Sequence, residues 1–257
     1  MKKVTMIALM CAGTVAAGAS ADIYQWDWSA DVNGTTGLNM NGGEFQSIHA
    51  QYNSNTQRFL WEVTFADQIT DGFTLAVNNG PNPKGHAGEL ALLYFDATDS
   101  NVRVTGYAYN GQNSFNTYFD GSAEAGTQNP DMIFGSDALG ANASLIMQAS
   151  MQDIGSTRVM TLEMDASLVN GHNPIYPGPE GPGEWTGMQF DELIGLWMHP
   201  MTGMNTSYSE DGALTELSFN RQGWFDGSNF TTTTIPAPGA IALVGLGGVL
   251  ANGRRRK

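Results

Sequence analysis

Hydrophobic positions along this chain recur with a period of two, and no convincing long amphipathic helix interrupts the pattern. Phe59, Trp61, Val63 and Phe65 alternate with Leu60, Glu62, Thr64 and Ala66, as in a strand with one face buried. Residues 67–72 (Asp-Gln-Ile-Thr-Asp-Gly) supply turn chemistry, and Phe73, Leu75 and Val77 resume the alternation, so the two runs predict a hairpin. Residues 89–97 are apolar on both faces through Leu90, Leu92, Leu93, Tyr94 and Phe95, which predicts a central strand. After a turn over 96–101, Val102, Val104 and Tyr107 to Tyr109 give the next strand. Residues 145–151 and 159–168 form a candidate pair around Asp153-Ile154-Gly155-Ser156, and 193–198 and 214–219 complete the set. Residues 137–147 also fit a short helix. Strands at short spacing, joined by Gly, Asn and Asp turns, predict an all-β chain folded as a β-sandwich of jelly-roll kind.

Composition narrows the class of partner. The chain has 257 residues, 11 Lys and Arg, 25 Asp and Glu, and a formal net charge of −14. Lys2, Lys3, Arg254, Arg255, Arg256 and Lys257 hold most of the basic charge at the two ends, and every acidic residue lies between Asp22 and Asp226. With five basic residues against 25 acidic, that middle stretch carries −20. Such a surface repels phosphate backbones and excludes nucleic acid as a partner. Hydrophobic residues at 41% and charged residues at 14% still provide a core, unlike a disordered polyanion.

The ends read as addresses. Lys2 and Lys3 precede an apolar run over 4–17, and Ala19-Ser20-Ala21 places small residues where a signal peptidase inspects them. The run is shorter than the ~20 residues that span a bilayer, so residues 1–21 read as a signal peptide cut before Asp22. Cys11, the one cysteine, lies inside it, so the mature chain has no thiol for a disulfide. At the other end Pro236-Ala237-Pro238 precedes an apolar segment over 240–251 and then Arg254-Arg255-Arg256-Lys257. As a helix, 240–251 reaches only ~18 Å against a ~30 Å hydrocarbon layer. Its basic end prefers the cytoplasmic side, which leaves the folded part outside. This tail resembles the PEP-CTERM sorting signal of Gram-negative bacteria, with alanine at Ala237 where the motif has glutamate. The resemblance covers about the last 23 residues and implies recognition by exosortase, a membrane protease-transpeptidase. It also implies transient anchoring in the inner membrane through a short helix, and release or attachment at the cell surface. The expected organisation is therefore a signal peptide over 1–21, a sandwich domain over 22–234 and a sorting tail over 235–257.

Candidate chemistry within the domain is sparse. Glu163 and Asp165 share one strand face opposite Met160, Leu162 and Met164, and paired carboxylates are what glycoside hydrolysis uses. Plain alternation on an acidic surface yields the same spacing, and Asp191-Glu192 is a similar case. His49, His86, His172 and His199 have no metal-ligand spacing, and no Gly-x-Ser-x-Gly elbow or phosphate-cradling glycine loop occurs. Residues 96–101 concentrate oxygen ligands, with Asp96 and Asp99 as candidates for a structural calcium ion. Two Pro- and Gly-rich connections, 78–88 and 170–184, are long enough to carry function. Tyr176 and Trp185, in or beside the second, and Trp224 are the rings best placed to hold a sugar face. Ordinary core packing is the competing account for the whole set, which includes Trp26, Trp28, Tyr52, Tyr107, Tyr109, Tyr118 and Tyr208. The expected function is that of an exported cell-surface or matrix protein, structural or adhesive, processed by signal peptidase and exosortase. The alternatives are a module binding extracellular polysaccharide and, third, an enzyme acting on one.

Overall fold

A computed structural model of the chain describes residues 22–29, 38–78, 90–99, 101–109, 132–134, 145–171, 187–190, 194–210, 212, 214–226 and 232–236. Asp22–Ile235 make one compact unit. It is a β-sandwich of two antiparallel sheets. The strands are β1 (Asp22–Ser29), β2 (Leu38–Asn39), β3 (Phe45–Asn53), β4 (Arg58–Phe65), β5 (Gly72–Asn78), β6 (Leu90–Asp96), β7 (Arg103–Tyr109) and β8 (Met132–Phe134). They continue as β9 (Ile146–Ile154), β10 (Thr157–Asp165), β11 (Gly195–Thr202), β12 (Asn205–Tyr208), β13 (Leu214–Ser218), β14 (Arg221–Gln222), β15 (Trp224–Asp226) and β16 (Thr232–Pro236). A six-stranded sheet runs β16-β1-β3-β4-β10-β9, and an eight-stranded sheet runs β2-β15-β11-β5-β6-β7-β8 with β14 beside β11. The strands β12 and β13 form a separate hairpin.

Alternation fixes which side chains meet between the sheets. Phe59, Trp61, Val63 and Phe65 of β4 are fully buried, as are Met160, Leu162 and Met164 of β10, the strand beside it. The strand β3 contributes Phe45, Ile48, Ala50 and Tyr52. Phe45 reaches the same side as Ile48 because the register shifts between Phe45 and Ser47, where Gln46 is the extra residue of a bulge. From the facing sheet come Phe73, Leu75, Val77, Leu93, Phe95, Leu196, Met198 and Phe225. Rings interlock across the gap: Trp28 lies 4.7 Å from Phe225 and 4.4 Å from Phe45, and Phe45 stacks on Phe225 at 5.1 Å. Offset and edge contacts of this kind add to the burial of the rings themselves.

The strands β5 and β6 are covered on both sides. All seven residues of β5 are buried. Phe73, Leu75 and Val77 face the sandwich core, and Ala76 belongs to a second cluster with Leu92, Tyr94, Tyr107, Met201, Leu214 and Leu217. The β12–β13 hairpin supplies Leu214 and Leu217 and so forms a third layer over the eight-stranded sheet. Gly203 opens that layer in the left-handed region (φ 63°), where a side chain would also collide with Asn220.

Two expectations change. The runs 59–65 and 73–77 are strands, but they are not a hairpin. The strand β4 pairs with β3 and β10, and β5 pairs with β11 and β6. Residues 66–71 therefore cross from one sheet to the other. Their polar groups are held where they cross: Thr70 donates to the Gly42 carbonyl (2.8 Å), Ala66 N–H to the Glu44 carbonyl (2.7 Å) and Arg158 to the Thr70 carbonyl (2.7 Å). Period-two patterning says which face is dry and does not say which neighbour completes the ladder. The second change concerns 137–147. Ile146 and Met147 open β9, which turns back into β10 around Gly155 (φ 64°), and 137–144 lie outside the described residues. The strands β1 and β3, long and central to the six-stranded sheet, were not foreseen, because Asp, Gln, His and Asn dilute their alternation. The connections 79–88 and 172–184 and the ends 1–21 and 237–257 lie outside the described residues. Among the described residues, no helix is long and apolar enough to cross a membrane.

Trp61→Ala is expected to lower the unfolding free energy by about 3–5 kcal/mol. Leu60→Ala, on the opposite face of the same strand, should cost less than about 1.5 kcal/mol. Urea denaturation of the two variants checks the assignment, and equal losses would contradict it.

Candidate functional site

The outer face of the six-stranded sheet collects the polar residues that alternation turns away from the core. Register builds them into rows that cross five strands. One row runs Asp27, His49, Glu62, Thr161 and Ser150. Beside it runs Gln25, Gln51, Leu60, Glu163 and Gln148, and on the other side Ser29, Ser47, Thr64, Val159 and Gln152. Within the first row Asp27 Oδ1 lies 2.7 Å from His49 Nδ1, and Gln25 donates to Asp27 Oδ2 at 2.9 Å. Thr161 reaches Glu62 at 3.5 Å. The Asp27–His49 pair is solvent-exposed (Asp27 62%, His49 30%), and at that exposure an ion pair contributes well under about 1 kcal/mol. What the face offers is an array of amides, hydroxyls and carboxylates with one imidazole, suited to hydrogen bonding with a hydrophilic partner.

Glu163 and Asp165 stand on this outer face, opposite the buried Met160, Leu162 and Met164, as the alternation predicts. Asp165 Oδ1 accepts from the N–H (3.1 Å) and the hydroxyl (2.5 Å) of Ser167. That carboxylate closes the turn after β10, a structural use that a lone strand pattern cannot reveal.

Asp96 departs most from expectation. It does not project from an open acidic turn; it is 5% exposed at the end of β6, under the β12–β13 hairpin. Oδ1 accepts from the Thr98 N–H (2.9 Å) and hydroxyl (2.6 Å). Oδ2 accepts from the Thr206 hydroxyl (2.7 Å) and the Tyr208 hydroxyl (2.6 Å). Four donors, two from Thr98 and two from the hairpin, meet the two carboxylate oxygens and tie the end of β6 to β12. Asp99 lies on the surface, and no group of three His, Cys, Asp or Glu side chains among the described residues is placed to hold a metal. Burial pushes the Asp96 carboxyl up, but the Thr98, Tyr208 and Thr206 hydrogen bonds outweigh it and hold it below the usual carboxylate range. Burial first, and then the Asp96 carboxylate, push the Tyr208 phenol far above its ordinary value. The Arg103 guanidinium lies 4.6 Å over the Tyr208 ring and completes the clasp.

The aromatic candidates separate by exposure. Trp26, Tyr52 and Tyr107 are buried, and Trp28 packs against the core. Tyr107 donates to the Leu214 carbonyl and Tyr208 to Asp96. Trp224 is exposed (39%). Its neighbour Phe225 points into the core, so alternation sends Trp224 to the outer face of the eight-stranded sheet with Trp197 and His199. The Trp197 and His199 rings are 4.3 Å apart, and His199 Nδ1 lies 3.1 Å from the Gly223 carbonyl. Tyr176 and Trp185 lie outside the described residues. So do Ala19, Ala21, Ala237, Pro238, Arg254, Arg255 and Arg256, while Asp22 begins β1 and Pro236 ends β16.

Fold and faces define the class as an antiparallel β-sandwich in which, among the described residues, a hairpin covers one sheet and the other turns a polar face outward. No protein-family model matches the chain, and no curated protein or solved structure is significantly similar to it.

Asp96→Ala leaves the half-buried Thr206 and Tyr208 hydroxyls without their acceptor and is expected to cost about 1–3 kcal/mol at neutral pH. Because the folded carboxyl titrates below the ordinary 3.8, its contribution is complete above that value and is lost as pH falls through the folded one. Denaturation midpoints of the wild type should therefore fall more steeply below about pH 4 than those of Asp96→Asn. Identical acid limbs would show that Asp96 is not held in this way.

Proposed function

We propose that the chain is an exported protein of the bacterial surface or extracellular matrix whose sandwich domain is structural or adhesive, with no catalytic step of its own. The observation that carries this reading is the polar outer face that the described residues of the six-stranded sheet present. It is a broad, hydrogen-bonding platform with its carboxylates spread along rows, the kind of surface that adheres through many weak polar contacts. The acidic middle stretch supports partners that are neutral or basic. Residues 1–21 serve as the export signal. Pro236-Ala237-Pro238 with Arg254, Arg255 and Arg256 serve as the sorting signal that anchors the precursor and hands it to exosortase. Under this reading, replacing Arg254, Arg255 and Arg256 together by alanine in an exosortase-bearing Gram-negative host leaves the protein in the inner-membrane fraction with its tail attached. The wild type moves to the surface or the medium, shortened at both ends. Mass spectrometry of the two fractions decides, and identical processing of both would remove the sorting assignment.

A carbohydrate-binding role is the second reading, favoured by one observation, the exposed Trp224 on the opposite sheet. Native electrophoresis through gels containing bacterial and algal polysaccharides, with and without calcium, separates the two. The adhesive reading expects unchanged mobility in each gel. Retardation that Trp224→Ala abolishes would transfer the function to glycan binding, and loss of the polysaccharide would mark an enzyme.

A further inference from the structure

The strand β9 closes one edge of the six-stranded sheet and, among the described residues, pairs only with β10. An exposed edge presents a row of backbone donors and acceptors, and proteins usually guard it with lysine, proline or a very short strand. The strand has no lysine and no proline and is not short, and its bulge lies at one end, at Met147. The strand is nine residues long, with the sequence Ile-Met-Gln-Ala-Ser-Met-Gln-Asp-Ile. Its one charge, Asp153, is neutralised from within the sheet by Arg158, whose Nε and Nη2 donate to the two carboxylate oxygens at 2.7 and 2.9 Å. The register with β10 shifts at Met147 and is regular from Gln148 to Ile154. Met147 and Ile154 are exposed apolar residues at the two ends of this strand (47% and 59%).

The order of residues names the occupant. Read outward from Ser150 in both directions, the regular stretch is near-symmetric: apolar Ala149 answers Met151 and Gln148 answers Gln152, while further out Met147, at the bulge, has Asp153 opposite. We propose that β9 is a self-association edge, which pairs antiparallel with β9 of a second copy about a two-fold axis through Ser150. In that arrangement Ser150 faces Ser150, and each Gln148 amide faces a Gln152 amide on the outer surface. On the inner surface Ala149 faces Met151. Both of those residues are only partly buried against the core of one copy, and pairing covers them, which extends the two cores into one seam. The two Asp153 carboxylates fall at opposite ends of the pair, each already bound to Arg158, so no like charges meet. The contact is isologous, and it closes at a dimer instead of growing into a filament. It also sets two open polar faces side by side on one continuous sheet, doubling the platform.

The test exploits the fact that Ser150 opposes itself. Ser150→Lys places two cations across the axis and Ser150→Glu two anions, and like charges directly opposite each other destabilise an antiparallel pair. Sedimentation equilibrium of the full chain is expected to show a wild-type dimer and a dissociation constant raised about tenfold or more in each variant. An equimolar mixture of the two variants should associate again, because Lys then faces Glu. Association through any other part of the chain is indifferent to the sign of charge at position 150. A monomeric wild type, variants that associate as tightly as the wild type, or a mixture that does not recover would each overturn the proposal. Circular dichroism verifies that the variants fold. If either does not, Gln148→Lys mixed with Gln152→Glu poses the same question, since those positions oppose each other across the axis.

Discussion

Both faces of β5 and β6 exclude water, and the layering of the domain follows from that demand. A sheet covered on one side needs one partner. Here Leu92, Tyr94 and Ala76 on the far side of the eight-stranded sheet need a second. The six-stranded sheet covers the first side with Phe59, Trp61, Met160 and Leu162, and the β12–β13 hairpin covers the other with Leu214 and Leu217. A hairpin of two short strands is not stable alone, so its position depends on what ties it to the sheet.

Those ties are polar. Asp96 gathers Thr206 and Tyr208, Thr105 accepts from the Leu214 N–H at 3.1 Å, and Tyr107 donates to the Leu214 carbonyl. Asp71 accepts the Gly203 and Met204 N–H groups at the start of the hairpin. Apart from the exposed Gly203 N–H, these groups are buried or half-buried and each finds a partner, the condition under which buried polarity does not penalise folding. Part of the acidic composition that looks like a solvated surface is thus structural cement. Another part faces outward on the six-stranded sheet, where Asp27, Glu62 and Glu163 stand beside amides and hydroxyls and the proposed function resides.

The candidate site was legible in its parts and hidden in its assembly. The outward placement of Glu163 and Asp165 followed from alternation alone. That Asp27, His49, Glu62, Thr161 and Ser150 form one row depends on the registers of four strand pairs, contributed by residues up to 134 positions apart. Asp96 illustrates the opposite failure. Its neighbours Thr98 and Asp99 suggest an exposed turn, and the hydroxyls that bury it come from Thr206 and Tyr208, more than a hundred residues later. Aromatic residues in polar sequence misled in the same way, since Trp26 and Tyr52 use their alternate polar neighbours as the outer face of a strand and bury their own rings.

By itself the sequence determined that this is an all-β domain with one strongly patterned core and an acidic exterior. Those properties depend on which side chains avoid water, and a period of two records that locally. Only the tertiary structure decided that β4 and β5 belong to different sheets, that β10 lies beside β4 and β11 beside β5, and that a hairpin roofs the eight-stranded sheet. Backbone N–H and C=O groups are the same at nearly every residue, so a strand carries no label for its partner. The choice is made by the joint burial of faces that only long-range packing brings together.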